Sequence, residues 1–183
     1  MRGDCWRGVL LLGVVAGCAQ PTAPATGNTD RVLTPVAAEE GVSQSVAGGG
    51  QFVHPDFGTV TFAFTAQRLS DGRVVGRFQQ HQPAFGVTYK GDVTCFAVDA
   101  VNHRAWIGGV ITQSNDPDPV ALVGKDAWFR VLDSPSGDVD RSTFLGFEGG
   151  GGIITSAEYC EKQIWPDGNA RTWPVEQGSI TIH

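Results

Sequence analysis

The sequence predicts an all-β fold: a single antiparallel β-barrel, or a closely related sandwich, of about eight strands with one short helix. Three observations carry this expectation. Period-two alternation dominates from Gln51 onward, as in Thr59–Thr65, where Val60, Phe62 and Phe64 share one face and Thr59, Thr61, Ala63 and Thr65 the other. Twenty-five glycines, ten phenylalanines and a single methionine suit short strands and turns better than a helical bundle. Turn signals such as Ser70-Asp71-Gly72 separate the alternating runs.

The amino terminus reads as a targeting segment. Arg2 and Arg7 flank a charged region, and Gly8–Gly17 is an apolar run well short of the roughly 20 residues that span a bilayer. The run ends Val15-Ala16-Gly17-Cys18, which resembles the lipobox of bacterial lipoproteins. That resemblance implies a signal peptide over residues 1–17 and a lipid-modified Cys18, whose acyl chains hold the protein at a membrane at about 0.8 kcal/mol per buried methylene. Ala19 after the cysteine favours the outer membrane in a cell with two. Residues 18–47, rich in Pro, Ala, Thr and Ser and without an aromatic residue, are expected to form a flexible tether. Gly48-Gly49-Gly50 marks the boundary of a β-domain over residues 48–183.

Within that domain Arg73–Gln80 returns on Thr59–Thr65 as a hairpin, and a further strand is expected over Phe85–Lys90. The stretch Gly91–Thr112 reads as a central hairpin turning at Val101-Asn102-His103. The alternation over 91–99 leaves open which face of the first arm is buried. In the second arm Gly108 and Gly109 allow close approach of a neighbouring backbone or ring, or mark a bulge. Asn115–Pro119 is a loop, because its two prolines deny it a ladder. Asp126–Asp133 is a strand, Thr143–Phe147 a short one, and Ser156–Gln163 the one helix, with Ser156 as its cap. Gly178–His183 is a closing strand expected to pair near the first.

The four cysteines sort by compartment. Cys5 lies in the segment removed and Cys18 carries lipid, which leaves Cys95 and Cys160 as a disulfide in an exported, oxidising setting. The long loop it closes corresponds to roughly 4 kcal/mol on chain-entropy grounds.

The strand motifs GDVTCFAV, RAWIGGVIT and WFRVLD, with the terminal PVEQGSITI, together resemble a family of small uncharacterised exported bacterial β-domains. The resemblance covers about Gly48–His183. It implies the β-domain boundary and the Cys95–Cys160 pairing, and it transfers no activity, substrate or catalytic residue.

The chemistry-bearing residues form no motif. His54, His81, His103 and His183 show no metal-ligand spacing, and neither Asn115, Asp116 and Asp118 nor Asp133, Asp138 and Asp140 has the EF-hand pattern. Gly149–Gly152 is not followed by Gly-Lys-Ser/Thr, and no Gly-x-Ser-x-Gly occurs. No metal, cofactor or catalytic residue is therefore expected. A carboxylate pair such as Glu148 with Asp133 needs only proximity in space. Sparse charge and a net charge of −6 give no surface for nucleic acid. Trp165 and Trp173, in a loop with Pro166 and Pro174, either stack on a ligand or plug the end of the barrel. The functional expectation is a membrane-anchored envelope lipoprotein acting as a non-enzymatic binding module for a small molecule or protein. The alternatives are an envelope hydrolase using carboxylates and a purely structural envelope component.

Overall fold

The computed structural model describes residues 41–117, 122–148, 152–153 and 155–183. The all-β expectation is met: one curled, barrel-like antiparallel sheet, with a single α-helix among the described residues. The strands are β1 (Val42–His54), β2 (Gly58–Leu69), β3 (Val74–Gln82), β4 (Val87–Asp99), β5 (Arg104–Ser114), β6 (Asp126–Leu132), β7 (Arg141–Ser142), β8 (Gly146–Phe147), β9 (Trp173–Pro174) and β10 (Gln177–Ile182), with α1 (Ser156–Lys162) between β8 and β9. Their order across the sheet is β10-β1-β2-β3-β4-β5-β6-β7-β9, and β8 pairs with β6.

The sheet curls because one carboxy-terminal run serves both of its edges. Trp173 and Pro174 pair with Ser142 and Arg141 of β7. Three residues on, Gln177 begins the ladder with β1 that ends at Ile182 opposite Val46. Between the two ladders, Val175 N–H donates to Asp140 O and Glu176 N–H to Gln51 O, each at 2.8 Å. Two carboxylates bridge the remaining gap, Asp140 to the amide of Ile180 at 2.7 Å and Asp133 to the amide of Ile182 at 3.0 Å.

The interior is packed. Val60, Phe62, Phe64 and Ala66 of β2 face Phe78 of β3, Phe96 of β4, Ile107 and Ile111 of β5 and Phe129 of β6 in one buried cluster. Phe129 meets Phe64 and Phe78 edge to face at 5.1 and 6.0 Å. The backbone around Thr143–Leu145 is also bonded from across the barrel, since Gln80 of β3 donates to Thr143 O and accepts from Leu145 N–H. The void beside these residues is about 10 Å³, room for no more than about one water.

Four details depart from the sequence reading. The first strand begins at Val42, so Gly48–Gly50 lie in the middle of β1 and not at a boundary. These glycines are strand residues because β10 and β2 crowd them: a Cβ on Gly48 would stand 2.9 Å from Ile180 and 3.0 Å from Phe64. Phe85–Lys90 and the first arm of the central hairpin are one continuous strand, β4. The helix is capped by Thr155, whose side chain accepts from Glu158 N–H, while Ser156 is buried beside Asp126, which accepts its amide. Finally, of the expected strand over Thr143–Phe147 only Gly146–Phe147 is strand (β8), and the two residues before the span, Arg141 and Ser142, form β7. The tether residues before 41 and the glycines 149–151 lie outside the described residues.

A second, smaller core lies on the outer face of β5 and β6. Trp106, Trp128, Ile153 and Tyr159 are buried together there under α1. The Cys95 and Cys160 sulfurs, on β4 and α1, are at bonding distance, 2.13 Å. The sheet leaves room for this join at Gly108, where a Cβ would fall 2.8 Å from Cys95 Sγ and from Ser156 Cβ. Trp106 Nε1 donates to Ile164 O at 2.9 Å, holding the chain beyond the helix against the same face.

Candidate binding cleft

One end of the barrel is rimmed by aromatic side chains. The end of β1 supplies His54, the β1–β2 turn Phe57, the β3–β4 turn Phe85, the β7–β8 connection Phe144, and β9 Trp173. Trp173 stacks on Phe52 at 5.7 Å and lies 4.3 Å from the His54 ring. Phe57 stacks on Phe144 at 4.8 Å and meets the exposed Phe85 edge-on at 6.1 Å. His54 Nδ1 accepts the amide of Asp56. Burial among these rings holds the imidazole below its usual pKa, against the opposing pull of the Asp56 carboxylate. The rim is at the His54 end of β1, opposite Val42, where the chain enters the sheet.

From the rim a cleft of about 260 Å³ runs down the outside of β6, lined by Trp128, Arg130, Thr143, Phe144, Leu145, Gly146, Tyr159, Arg171 and Trp173. Alternation puts Trp128 and Arg130 on the outer face of β6 while Ala127, Phe129 and Val131 fill the interior. Tyr159 of α1 stacks on Trp128 at 5.7 Å. Gly146 admits the Trp128 indole, since a Cβ there would lie 2.9 Å from Trp128 Cδ1.

Arg130 is only 9 % exposed. Its Nη2 donates to Ala170 O at 2.7 Å, its guanidinium lies 5.3 Å from the Trp165 ring centre, and it hydrogen-bonds the Tyr159 hydroxyl. Burial pushes that hydroxyl up to about 12, with Arg130 pulling the other way. Arg171 adopts a left-handed backbone, φ 60°, and lines the mouth of the cleft. Among the described residues no carboxylate forms an ion pair with Arg130 or Arg171. A larger hollow of about 840 Å³ lies on the outside of β1–β5, and its exposed side chains, among them Ala63, Thr65, Arg77, Lys90 and Asp92, are small, polar or charged.

The two tryptophans singled out in the sequence have different surroundings. Trp173 is at the rim, both closing the barrel end over Phe52 and walling the cleft. Trp165 packs edge-on against Trp106 at 5.7 Å, with Arg104 4.7 Å from its ring centre, and donates through Nε1 to Asn169. It supports Arg130 from behind. Sequence reasoning missed Arg130, Tyr159 and Arg171. The one signal for Arg130 was its phase, two residues from Trp128 on the same face of a strand.

Several of the remaining polar candidates are engaged elsewhere, and Asp118 lies outside the described residues. Asp133 and Asp140 bind backbone amides of β10, Asn115 accepts from Thr88 N–H and donates to Gly86 O, and Asp116 accepts the Tyr89 hydroxyl. Among the described residues no three His, Cys, Asp or Glu side chains converge as metal ligands, and no helix is long and apolar enough to cross a membrane. Comparison with protein-family models, with curated proteins and with solved structures finds no match in any of the three. The family resemblance of the strand motifs therefore rests on those motifs alone.

Proposed function

We propose that the chain is a lipid-anchored cell-envelope protein whose β-domain is a non-enzymatic binding module, with the cleft beneath Trp173 as its ligand site. One observation carries the site. The cleft offers aromatic residues and two arginines, while among the described residues no carboxylate and no histidine lines it. Such walls orient a ligand by stacking and by fixed donors. They supply no general base within reach of a bound molecule at neutral pH. The hydrolase alternative has weaker support. Asp133 follows the last residue of β6 and Glu148 pairs through its amide with Asp126 at the first. At about 3.3 Å per residue that is roughly 20 Å, against the roughly 5–9.5 Å a glycosidase pair needs. The packed interior agrees with a structural envelope component, but that reading gives the open cleft and aromatic rim no role.

The anchor rests on the amino-terminal sequence. Growth with labelled palmitate should label the protein, and a Cys18→Ala variant that still takes up label would defeat the assignment. The binding reading is tested by NMR on the full-length protein with a panel of envelope polysaccharide fragments. Shift changes should cluster on the Trp173 indole and on Arg171. Changes confined to the hollow around Arg77 and Lys90, or none at all, would overturn it.

A further inference from the structure

Resting on the binding reading, we infer that the cleft takes a small ring-shaped carboxylate, with the ring against Trp173 and Phe144 and the carboxylate on Arg171 and Arg130. Three features of the site lead there.

Size comes first. At about 260 Å³ the cleft falls just below the range of pockets that hold drug-sized ligands. It accommodates a single ring with its substituent and not an extended chain.

Charge is second. The protein as a whole carries a net charge of −6, yet among the described residues both ionic groups of this cleft are cations. Arg130 is nine-tenths buried, and among the described residues its partners are neutral: the Ala170 carbonyl, the Tyr159 hydroxyl and the Trp165 ring. A buried cation so placed keeps a field that water screens poorly, and a planar fork of N–H groups matches a carboxylate better than any neutral acceptor. Since Nη2 reaches Ala170 O, the Arg130 guanidinium is held beside the residue that precedes Arg171, and both arginines line the same cleft.

Backbone is third. Arg171 sits at φ 60°, a conformation that glycine adopts freely and a long side chain does not. Arg171 lines the cleft at the expense of local backbone comfort, so the residue separates stability from binding. Trp173 and Phe144 line the same cleft and are half-buried, and an aromatic face offers a stacking surface to a ring-shaped ligand.

The test is a titration of the full-length protein followed by Trp fluorescence and by the Trp173 indole NMR signal, with four probes: glucuronate, glucose, benzoate and inorganic phosphate. Glucuronate or benzoate should bind and move the Trp173 signal; glucose and phosphate should bind at least about tenfold more weakly, the loss of one charge-assisted contact or of the stacked ring. Glucuronate above benzoate identifies a sugar acid, and the reverse an aromatic acid. Arg171→Gly should weaken the better carboxylate at least about tenfold while the thermal midpoint stays level or rises, because the left-handed strain is removed. Glucose binding as tightly as glucuronate, with Arg171→Gly indifferent, would overturn the carboxylate assignment and leave the binding module standing. Phosphate binding as tightly as both ring acids would overturn the requirement for a ring. A Trp173 signal unmoved by all four probes would overturn this assignment, and the binding reading falls with it only if envelope fragments also leave Trp173 unmoved.

Discussion

The Asp140 carboxylate accepts the backbone amide of Ile180 at 2.7 Å with one oxygen and that of Ser134 at 2.9 Å with the other. A side chain thus stands where a neighbouring strand would supply a carbonyl, and Ile180 is buried. Asp140→Ala leaves both amides unpaired, at about 1–3 kcal/mol for a buried one. Urea unfolding should show a loss of about 3 kcal/mol, and Asp140→Asn, which keeps one acceptor, about 1 kcal/mol. A loss below about 0.5 kcal/mol for the alanine variant would mean that pairing of β10 with β1 alone holds the sheet curled.

The Cys95–Cys160 bridge joins the outer layer to the barrel across a sequence separation of 65. The double Cys→Ser variant should lose about 2–5 kcal/mol. The loss should be local in character: near-UV circular dichroism from Trp106 and Trp128 weakens, whereas the far-UV β signal persists, because the interior cluster does not include α1. Loss of the far-UV signal at room temperature would show that the barrel depends on the outer layer.

What the sequence revealed and what it concealed both follow from this layering. Val60, Phe62 and Phe64 alternate without interruption, so their inward face was legible. The 91–99 arm was ambiguous because the register shifts between Val93 and Cys95. Gly91 and Val93 are buried before the bulge and Phe96 after it, so no single phase describes the strand. Gly48–Gly50 imitate a linker, since glycine is needed equally where a chain is loose and where two strands press upon it. The cleft was the least legible part. Trp173 stood out by its type and loop setting, but Arg130, Tyr159 and Arg171 come from a strand, a helix and a loop that only the folded outer layer brings together.

Gly91 also makes a sharp prediction about packing. A Cβ there would stand 2.5 Å from Phe78 Cε1 and from Val110 O. Gly91→Ala should cost about 1–3 kcal/mol through overpacking. Combined with Phe78→Leu, which trims the ring, the double variant should lose less than the sum of the two single variants, by at least about 0.5 kcal/mol. Strict additivity in denaturant melts would place the crowding on the Val110 carbonyl alone.

The rim carries a pH dependence through His54. Burial lowers its folded-state pKa below the unfolded value of 6.5, so the unfolded chain takes up the proton more readily. The contribution of this residue to stability is therefore complete above about pH 6.5 and is lost as the pH falls through that value toward the lower folded one. Protonation also ends the ability of Nδ1 to accept the Asp56 amide and sets a cation among Phe57, Phe144 and Trp173, whose rings lie 4.6, 5.5 and 4.3 Å away. Asp56 tempers the loss, because its carboxylate favours the charged ring. Between pH 7 and pH 5 the wild type should thus lose more stability than His54→Phe, which keeps an aromatic ring in place and has no proton to bind. Urea midpoints measured across that interval decide the matter: a steeper fall for the wild type is expected, and parallel curves would mean that the protonated imidazole remains as well solvated at the rim as in the unfolded chain.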